Sequence, residues 1–582
     1  MLNKISFKNA CIFSAIIVFF LIMCLVRINK PLTDEQTFLV YGANAIINTG
    51  ASYFSFEGPN LLPTTGIEHP PLYLYTLVLF IQLFGYNLFG LKFSGIFFTI
   101  LNSILIYFMT KLIIKDNKLI PFLASFLYLI HPLVFENAVF LSLDGGILTF
   151  STILFIYVFL KYKLEKPIWL VLIFLFSLWI KFTSFPVLIA SVFFYYLFFE
   201  KENKFKNIFN LGLISLISVF LFGLTFYIYS YLINYDFLHP FIYLTAGKFG
   251  HRTSILLNLL RSAYVFKSFI FWITPPLFIY IIYKLFSYTS KTIKKELPFP
   301  TSYLFCYLFS ALAFFTALGV DYLGFPKHYI ILLPVLSIIL AIDIFRNFKD
   351  FKISYDLLII LLLVPIYLFI FVKDPMYYDA LWKALPIIDS SIIWMVLDIL
   401  KRLALILLPL PILFLYFKYY HKKGFLFSVV FYSLILMIYS SAYLIYVPYN
   451  TGINQGDTGL QETIDYLKMN VNQSTMATLL VPQQINFIWN NGKDLAYIGN
   501  NAYLYNVKNY YLFSKLFFNK VIIQKDNTYL VLYERDLHRT KGIKEITESN
   551  FDFVKDIGTY KIYKIRKGIT NFNLLGYEYQ NE

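Results

Sequence analysis

The chain has 582 residues, of which 59% are hydrophobic, 20% aromatic and only 14% charged, and it carries a formal net charge of +16. Soluble domains are about 25% charged, so this chain has too few polar groups to cover a water-facing surface; a soluble multidomain enzyme, a disordered chain and a disulfide scaffold are all excluded. The apolar residues come in runs of about 15 to 25 rather than in ten-residue alternations, so a membrane barrel is excluded too, and a mainly α, polytopic membrane protein remains.

The charge then reads as topology rather than nucleic-acid binding, because Lys and Arg in short loops orient a chain in the bilayer. Lys4 and Lys8 precede an apolar run from Ala10 to Val26. It resembles a secretory signal but is long and lacks a small-x-small cleavage site, so it is read as a first span with a cytoplasmic start. Residues 28–89 form an outer loop. Within it, 72–84 (LYLYTLVLFIQLF) is apolar but about 13 residues long, a rise of about 20 Å against a hydrocarbon core of about 30 Å, so it is expected to lie at the interface. A second span covers about 90–112.

Basic clusters follow at Lys111/Lys115/Lys118, Lys161/Lys163/Lys166, Lys201/Lys204/Lys206, Lys284/Lys291/Lys294/Lys295, Arg346/Lys349/Lys352 and Lys418/Lys422/Lys423. If all are cytoplasmic, paired crossings separate them: 119–136 and 145–160, 167–182 and 184–199, 208–232 and 264–284, 299–320 and 328–345, 353–372 and 403–420. A last span, 424–447, returns outside, giving about thirteen spans with the N-terminus in and the C-terminus out. The expected division is a transmembrane catalytic domain over 1–447, with juxtamembrane helices in the 28–89 loop, and a small extracytoplasmic α/β domain over 448–582. In the latter, Thr458–Met469 reads as an amphipathic helix, and Lys520–Gln524, Tyr529–Tyr533 and Tyr560–Ile565 read as strands. Cys11, Cys24 and Cys306 all lie in apolar runs, so no disulfide framework or thiolate metal site is expected.

The outer loops hold the chemistry-bearing residues: Asp34, Glu35, Glu68 and His69 in the first, Glu136 and Asp144 in the second, His251 and Arg252 in the third. Lys181 and Lys327-His328 sit at outer turns. Charged groups at membrane depth are costly and usually face a cavity or a partner. Acids of this kind can take a hydroxyl proton or hold a metal, and the cations can bind a phosphate. No Gly-rich phosphate cradle of either common type is present, which argues against direct nucleotide use and for a lipid-borne donor. Plainer readings stand beside these. Thr33-Asp34 and Asp144 are good helix caps, and Lys92 and Lys181 could extend toward lipid headgroups.

Asp34-Glu35, Glu68-His69-Pro70-Pro71-Leu72, Leu83-Phe84-Gly85, Lys92, Leu143-Asp144-Gly145-Gly146, Lys181-Phe182-Thr183-Ser184-Phe185-Pro186 and Lys327-His328-Tyr329 with Leu332-Leu333-Pro334 occur in this order over residues 30–345. Together they resemble the C-type (GT-C) membrane glycosyltransferases, and within them the protein O-mannosyltransferases and lipid A aminoarabinose transferases. The resemblance implies an enzyme of the glycosyltransferase class. It would move a sugar, with inversion, from a polyprenyl-phosphate or dolichyl-phosphate sugar to a hydroxyl on a lipid, glycan or protein acceptor at the extracytoplasmic face of the cell membrane. It implies Asp34, with Glu35 and Asp144, as catalytic residues and Asp34 as base, and Lys92, Lys181, Arg252, Lys327 and His69 as contacts to the donor phosphate. A divalent metal, Zn or Mn, held by Glu68, His251 and Asp144 is a minority expectation. His69 stands where many relatives have Lys, and Lys92 where many have Arg. The competing expectation is a transporter or flippase of lipid-linked glycans, disfavoured because no duplicated half or midplane charge is evident.

Overall fold

The computed structural model describes residues 7–28, 39–40, 42–43, 46–47, 69–115, 117–200, 202–233, 237–238, 241, 269–294, 296–318, 327–348, 354–372, 391–446, 459–470, 476–478, 529–534 and 543–567. Asp34, Glu35, Glu68, His251, Arg252 and the expected strand 520–524 fall outside them. The chain divides into two compact units. One comprises Met1–Arg27, Glu68–Tyr73 and Ser94–Val447; the other comprises Ile28–Ile67, Leu74–Phe93 and Pro448–Glu582.

The first unit is helical. Helix α1 is Phe7–Arg27. Helix α2 (Leu72–Phe84) has the 13 residues of the apolar run read as interfacial, and only Leu72 and Tyr73 of it belong to this unit. Helix α3 (Leu88–Ile113) has 26 residues, about 39 Å at 1.5 Å per residue, and belongs to this unit from Ser94 on. The stretch read as one span over 119–136 is instead two helices, α4 (Ile120–Leu129) and α5 (Pro132–Val139), bent by 58°. The cause is local. Pro132 cannot donate to the preceding turn, and the Nδ1 of His131 accepts from the Leu133 N–H at 3.2 Å, capping a new helix start. Ser441 Oγ donates to the Ile130 carbonyl at 2.5 Å, satisfying an acceptor that the break releases. All eight residues of α5 are buried.

A π turn over Asp144–Leu148 leads into α6 (Thr149–Tyr162). Then come α7 (Pro167–Ile180), α8 (Phe185–Phe198), α9 (Lys204–Leu232), α10 (Pro275–Ile293) and α11 (Thr301–Leu318). A 3-10 turn over Lys327–Leu332 opens α12 (Leu333–Phe348), followed by α13 (Tyr355–Tyr367), α14 (Ser391–Leu407), α15 (Pro409–Tyr420) and α16 (Phe425–Tyr446). Proline in the first turn of α7, α8, α10 and α15 suits a position whose N–H has no intrahelical partner.

Helix α4 packs on α12, α8 on α11, α7 on α9 and α10 on α16. Close approach is sequence-encoded at Gly95, where a Cβ would sit 2.6 Å from the Ala138 carbonyl oxygen, so α3 and α5 touch backbone to backbone. Outward faces stay apolar, as with Phe209, Leu216, Phe220 and Tyr231 of α9, which are exposed as a lipid-facing helix requires. Asp343, near the end of α12, accepts from Tyr280 Oη of α10 at 2.8 Å and pairs with Lys284 midway along that helix.

Among the described residues six segments are long and apolar enough to cross a membrane: Leu88–Ile113, Asp144–Tyr162, Lys204–Leu232, Lys327–Asn347, Leu400–Tyr420 and Phe425–Ile445. The bent α4–α5 pair makes a seventh, and shorter apolar helices such as α7 and α8 lie at other expected crossings. The chain is an integral membrane protein of mainly α structure.

The second unit contains the polar C-terminal region. Helix α17 (Leu460–Asn470) and strand β1 (Met476–Thr478) precede β2 (Tyr529–Tyr533), α18 (Ile543–Asn550), β3 (Phe551–Ile557) and β4 (Tyr560–Ile565). The sheet order is β1-β2-β4-β3, with β1 parallel to β2 and the other pairs antiparallel. Gly558, at φ +59°, turns the β3–β4 hairpin. Ile562 and Tyr560 of β4 are fully buried, while β3 is mostly exposed.

Candidate active site

Three sequence-distant turns of the helical unit bring their polar side chains to one point. The first is the π turn at Asp144. Its Leu148 N–H reaches back five residues to the Leu143 carbonyl at 3.1 Å, a widened turn that is rare and recurs at functional positions. Asp144 is held on both sides: its N–H donates to Ser142 Oγ at 3.2 Å, and its carbonyl accepts from Thr149 Oγ1 at 2.8 Å. The next residue has to be glycine unless a neighbour moves, since a Cβ on Gly145 would lie 1.5 Å from the Asn137 side-chain nitrogen.

The second turn ends α7. Lys181 is extended (φ −161°, ψ 106°) and leads into a 3-10 turn over Phe182–Ser184. The Lys181 carbonyl accepts from Ser184 Oγ at 2.8 Å, which fixes where the lysine side chain leaves the backbone. The third is the 3-10 turn at Lys327–Leu332. The His328 ring stacks on Phe315 at 5.7 Å and 14°, and Tyr329 stacks on Phe269 at 4.3 Å. The Tyr307 hydroxyl donates to the Ile331 carbonyl at 2.7 Å and ties this turn to α11.

Lys181 Nζ stands 2.6 Å from Asp144 Oδ1 and 3.1 Å from His328 Nδ1, and the last two atoms are 3.4 Å apart. The side chains of Lys181 and Asp144 are each only 4% exposed. An ammonium has donors and no acceptor, so Lys181 donates to both neighbours. His328 then accepts at Nδ1, and in the neutral ring its proton sits on Nε2. A buried charge pair of this kind gains less from Coulomb attraction than it loses in hydration unless its hydrogen bonds are complete. Here the lysine shares its hydrogens between carboxylate and imidazole.

Two further residues border this cluster. Tyr73, buried on α2, lies beside Ser94 with its hydroxyl in the field of Asp144. His69 meets Phe182 edge-on, at 6.2 Å and 75°, next to the Lys181 backbone. Of the expected site residues, the structure therefore groups Asp144 and Lys181 with His328, with Lys327 adjacent in sequence and His69 one ring away. Lys92 belongs to the other unit, where it is buried and its Nζ donates to the Ile28 carbonyl at 2.9 Å. Among the described residues no group of three His, Cys, Asp or Glu side chains is disposed to hold a metal. Asp144 has a lysine against its carboxylate instead. Tyr73 carried no distinguishing sequence motif.

Residues 68–228 match the family model described as dolichyl-phosphate-mannose-protein mannosyltransferase. No curated protein matches the chain in sequence. Among solved structures, the chain is similar to ArnT from Cupriavidus metallidurans bound to undecaprenyl phosphate, with a TM-score of 0.60 at 12% identity over 98% of this chain and 100% of that one. The apo form of the same protein gives a TM-score of 0.58 at 13% identity, over 97% of this chain and 99% of that one. The chain thus carries the GT-C fold of the membrane glycosyltransferases, and its segment 68–228 matches the mannosyltransferase family within them.

Proposed function

We propose that the chain is a membrane glycosyltransferase that takes its sugar from a polyprenyl-phosphate or dolichyl-phosphate carrier. The observation that carries this reading is that the mannosyltransferase-matched segment 68–228 contains the buried Asp144–Lys181 pair. The likeness of the fold to a protein solved with undecaprenyl phosphate supports a polyprenyl-phosphate lipid as donor. Transfer proceeds at the extracytoplasmic face, where the C-terminal domain (448–582) also lies, with residues 1–447 as the catalytic domain. The acceptor is a hydroxyl on a lipid, glycan or protein.

In the reaction the acceptor oxygen forms a bond to the sugar anomeric carbon as the bond from that carbon to the phosphate oxygen breaks, with inversion. The acceptor proton passes to Asp34, and the lipid phosphate leaves carrying the electron pair. Asp144 has its Oδ1 committed to Lys181, so it acts by holding that lysine in place. Lys181, Lys327 and His69, with Arg252, supply donors toward the phosphate. Glu35 follows the base in sequence. A metal held by Glu68 and His251 would add a further positive charge there.

The test uses the full chain in lipid nanodiscs with a radiolabelled polyprenyl-phosphate sugar and a membrane extract as the acceptor pool. Asp34→Asn should lower transfer at least about 100-fold, the scale of a lost general base, while donor binding persists. Undiminished transfer by Asp34→Asn, or movement of the lipid-linked sugar across liposomes without an acceptor, overturns the reading.

A further inference from the structure

We infer that Asn102 is a positioning residue for Asp144, acting on the backbone of the π turn rather than on any reacting group. It rests on the proposed transfer reaction only for its kinetic readout. Asn102 lies in the middle of α3, fully buried beside Ser103 in a stretch whose other residues are apolar, Ile100-Leu101-Asn102-Ser103-Ile104-Leu105. Its Nδ2 faces three acceptors: Gly145 O at 3.4 Å, Gly146 O at 3.3 Å and Tyr128 Oη at 3.2 Å. Asp144 directly precedes the two glycines whose carbonyls are held.

The geometry of the turn explains the need. In a regular α-helix each carbonyl accepts from the N–H four residues on, and a π turn alters that pairing: the Gly146 carbonyl accepts from the Thr149 N–H, three residues on. A carbonyl has two lone pairs, and a buried side chain can serve the one left open. Asn102 does this from the neighbouring helix, while Ser142 and Thr149 hold the Asp144 N–H and carbonyl from within the turn. Gly146 packs its Cα against Gly95, where a Cβ would stand 3.6 Å away, so α3 lies close enough for a short side chain to reach.

A second observation separates this role from ordinary packing. Asn102 Oδ1 is buried and has no hydrogen-bond partner among the described residues. A buried acceptor left unmade destabilises. Asn102 therefore supplies its donor to the turn while leaving one bond of its own unmade.

The test compares Asn102→Leu, which keeps the volume and removes the donor, with Asn102→Asp, whose buried carboxyl is neutral and can donate through its O–H. Ser125→Ala is the control. It removes a bond to the Ser103 carbonyl one residue along α3 and does not touch the turn. Two measurements are made in nanodiscs. One is labelling of Asp144 by a hydrophobic carbodiimide, read by mass spectrometry, which needs no assumption about the reaction. The other is kcat and donor KM for transfer.

Asn102→Leu takes the donor from the buried Gly145 and Gly146 carbonyls and should melt below the parent. Its Asp144 labelling should rise at least threefold, and kcat should fall at least tenfold with KM within twofold. Asn102→Asp should recover most of both losses, and Ser125→Ala should match the parent. Unchanged labelling in Asn102→Leu, or an equal effect of Ser125→Ala, overturns the inference. If the parent transfers no sugar, the reaction assignment fails, and labelling alone still decides the role of Asn102.

Discussion

The Asp144–Lys181 contact sets the sharpest energetic expectation. Asp144→Leu leaves the Lys181 ammonium buried, with His328 Nδ1 at 3.1 Å as its remaining partner in the cluster. Removing one partner of a buried pair costs about 3–5 kcal/mol, because an uncompensated charge stays behind. The histidine bond retains part of the hydration lost, which puts Asp144→Leu near the lower end, about 3 kcal/mol. Lys181→Met should cost a similar amount, since the buried carboxylate then loses the ammonium at 2.6 Å. The double variant removes both charges and replaces them with apolar groups of similar size, so it should lie within about 1 kcal/mol of the parent. The coupling energy in the cycle is then at least about 3 kcal/mol. Unfolding of the four proteins in mixed detergent micelles, monitored by tryptophan emission, measures it. A coupling below about 1 kcal/mol, with the two losses simply adding, would refute the account of a mutually dependent buried pair.

Backbone approach and the C-terminal core provide two more tests. Gly95→Ala should destabilise by about 1–3 kcal/mol through overpacking, because its Cβ would meet the Ala138 carbonyl oxygen at 2.6 Å. Gly223→Ala in α9 has open space around its Cβ and should be neutral or stabilising by up to about 1 kcal/mol; thermal unfolding in detergent ranks the two. Ile562→Ala, at a fully buried site of β4, should cost about 2–5 kcal/mol. Limited trypsin digestion should then cleave after Lys561 and Lys564 well before the parent is cut there, and equal cleavage rates would refute the placement of Ile562 in a packed sheet.

Much of the fold could be read from the sequence because hydrophobic length is a strong signal. The 13-residue helix at 72–84 and the strands at 529–533 and 560–565 fall where periodicity and length put them. The broken crossing at 119–136 was legible in principle, since His131-Pro132 is a cap followed by a residue that cannot continue the preceding turn. The run of apolar residues on both sides obscured it. The partnership of Lys181 with Asp144 was not legible. Both were visible as polar residues at outer turns, but 37 positions separate them, and only the packing of a π turn against a helix end decides that their side chains meet. Asn102 was hidden for a related reason. A single amide in an apolar span announces a partner without naming it, and its acceptors are backbone carbonyls exposed by a turn type that composition does not encode.

The same geometry refines what the net charge of +16 means at this site. A lysine at membrane depth has to be compensated locally, and Lys181 is compensated by Asp144 at 2.6 Å. Part of the positive charge is therefore neutralised pair by pair, and at this turn the carboxylate also fixes where the ammonium points, because Lys181 donates to Asp144 and to His328 at once.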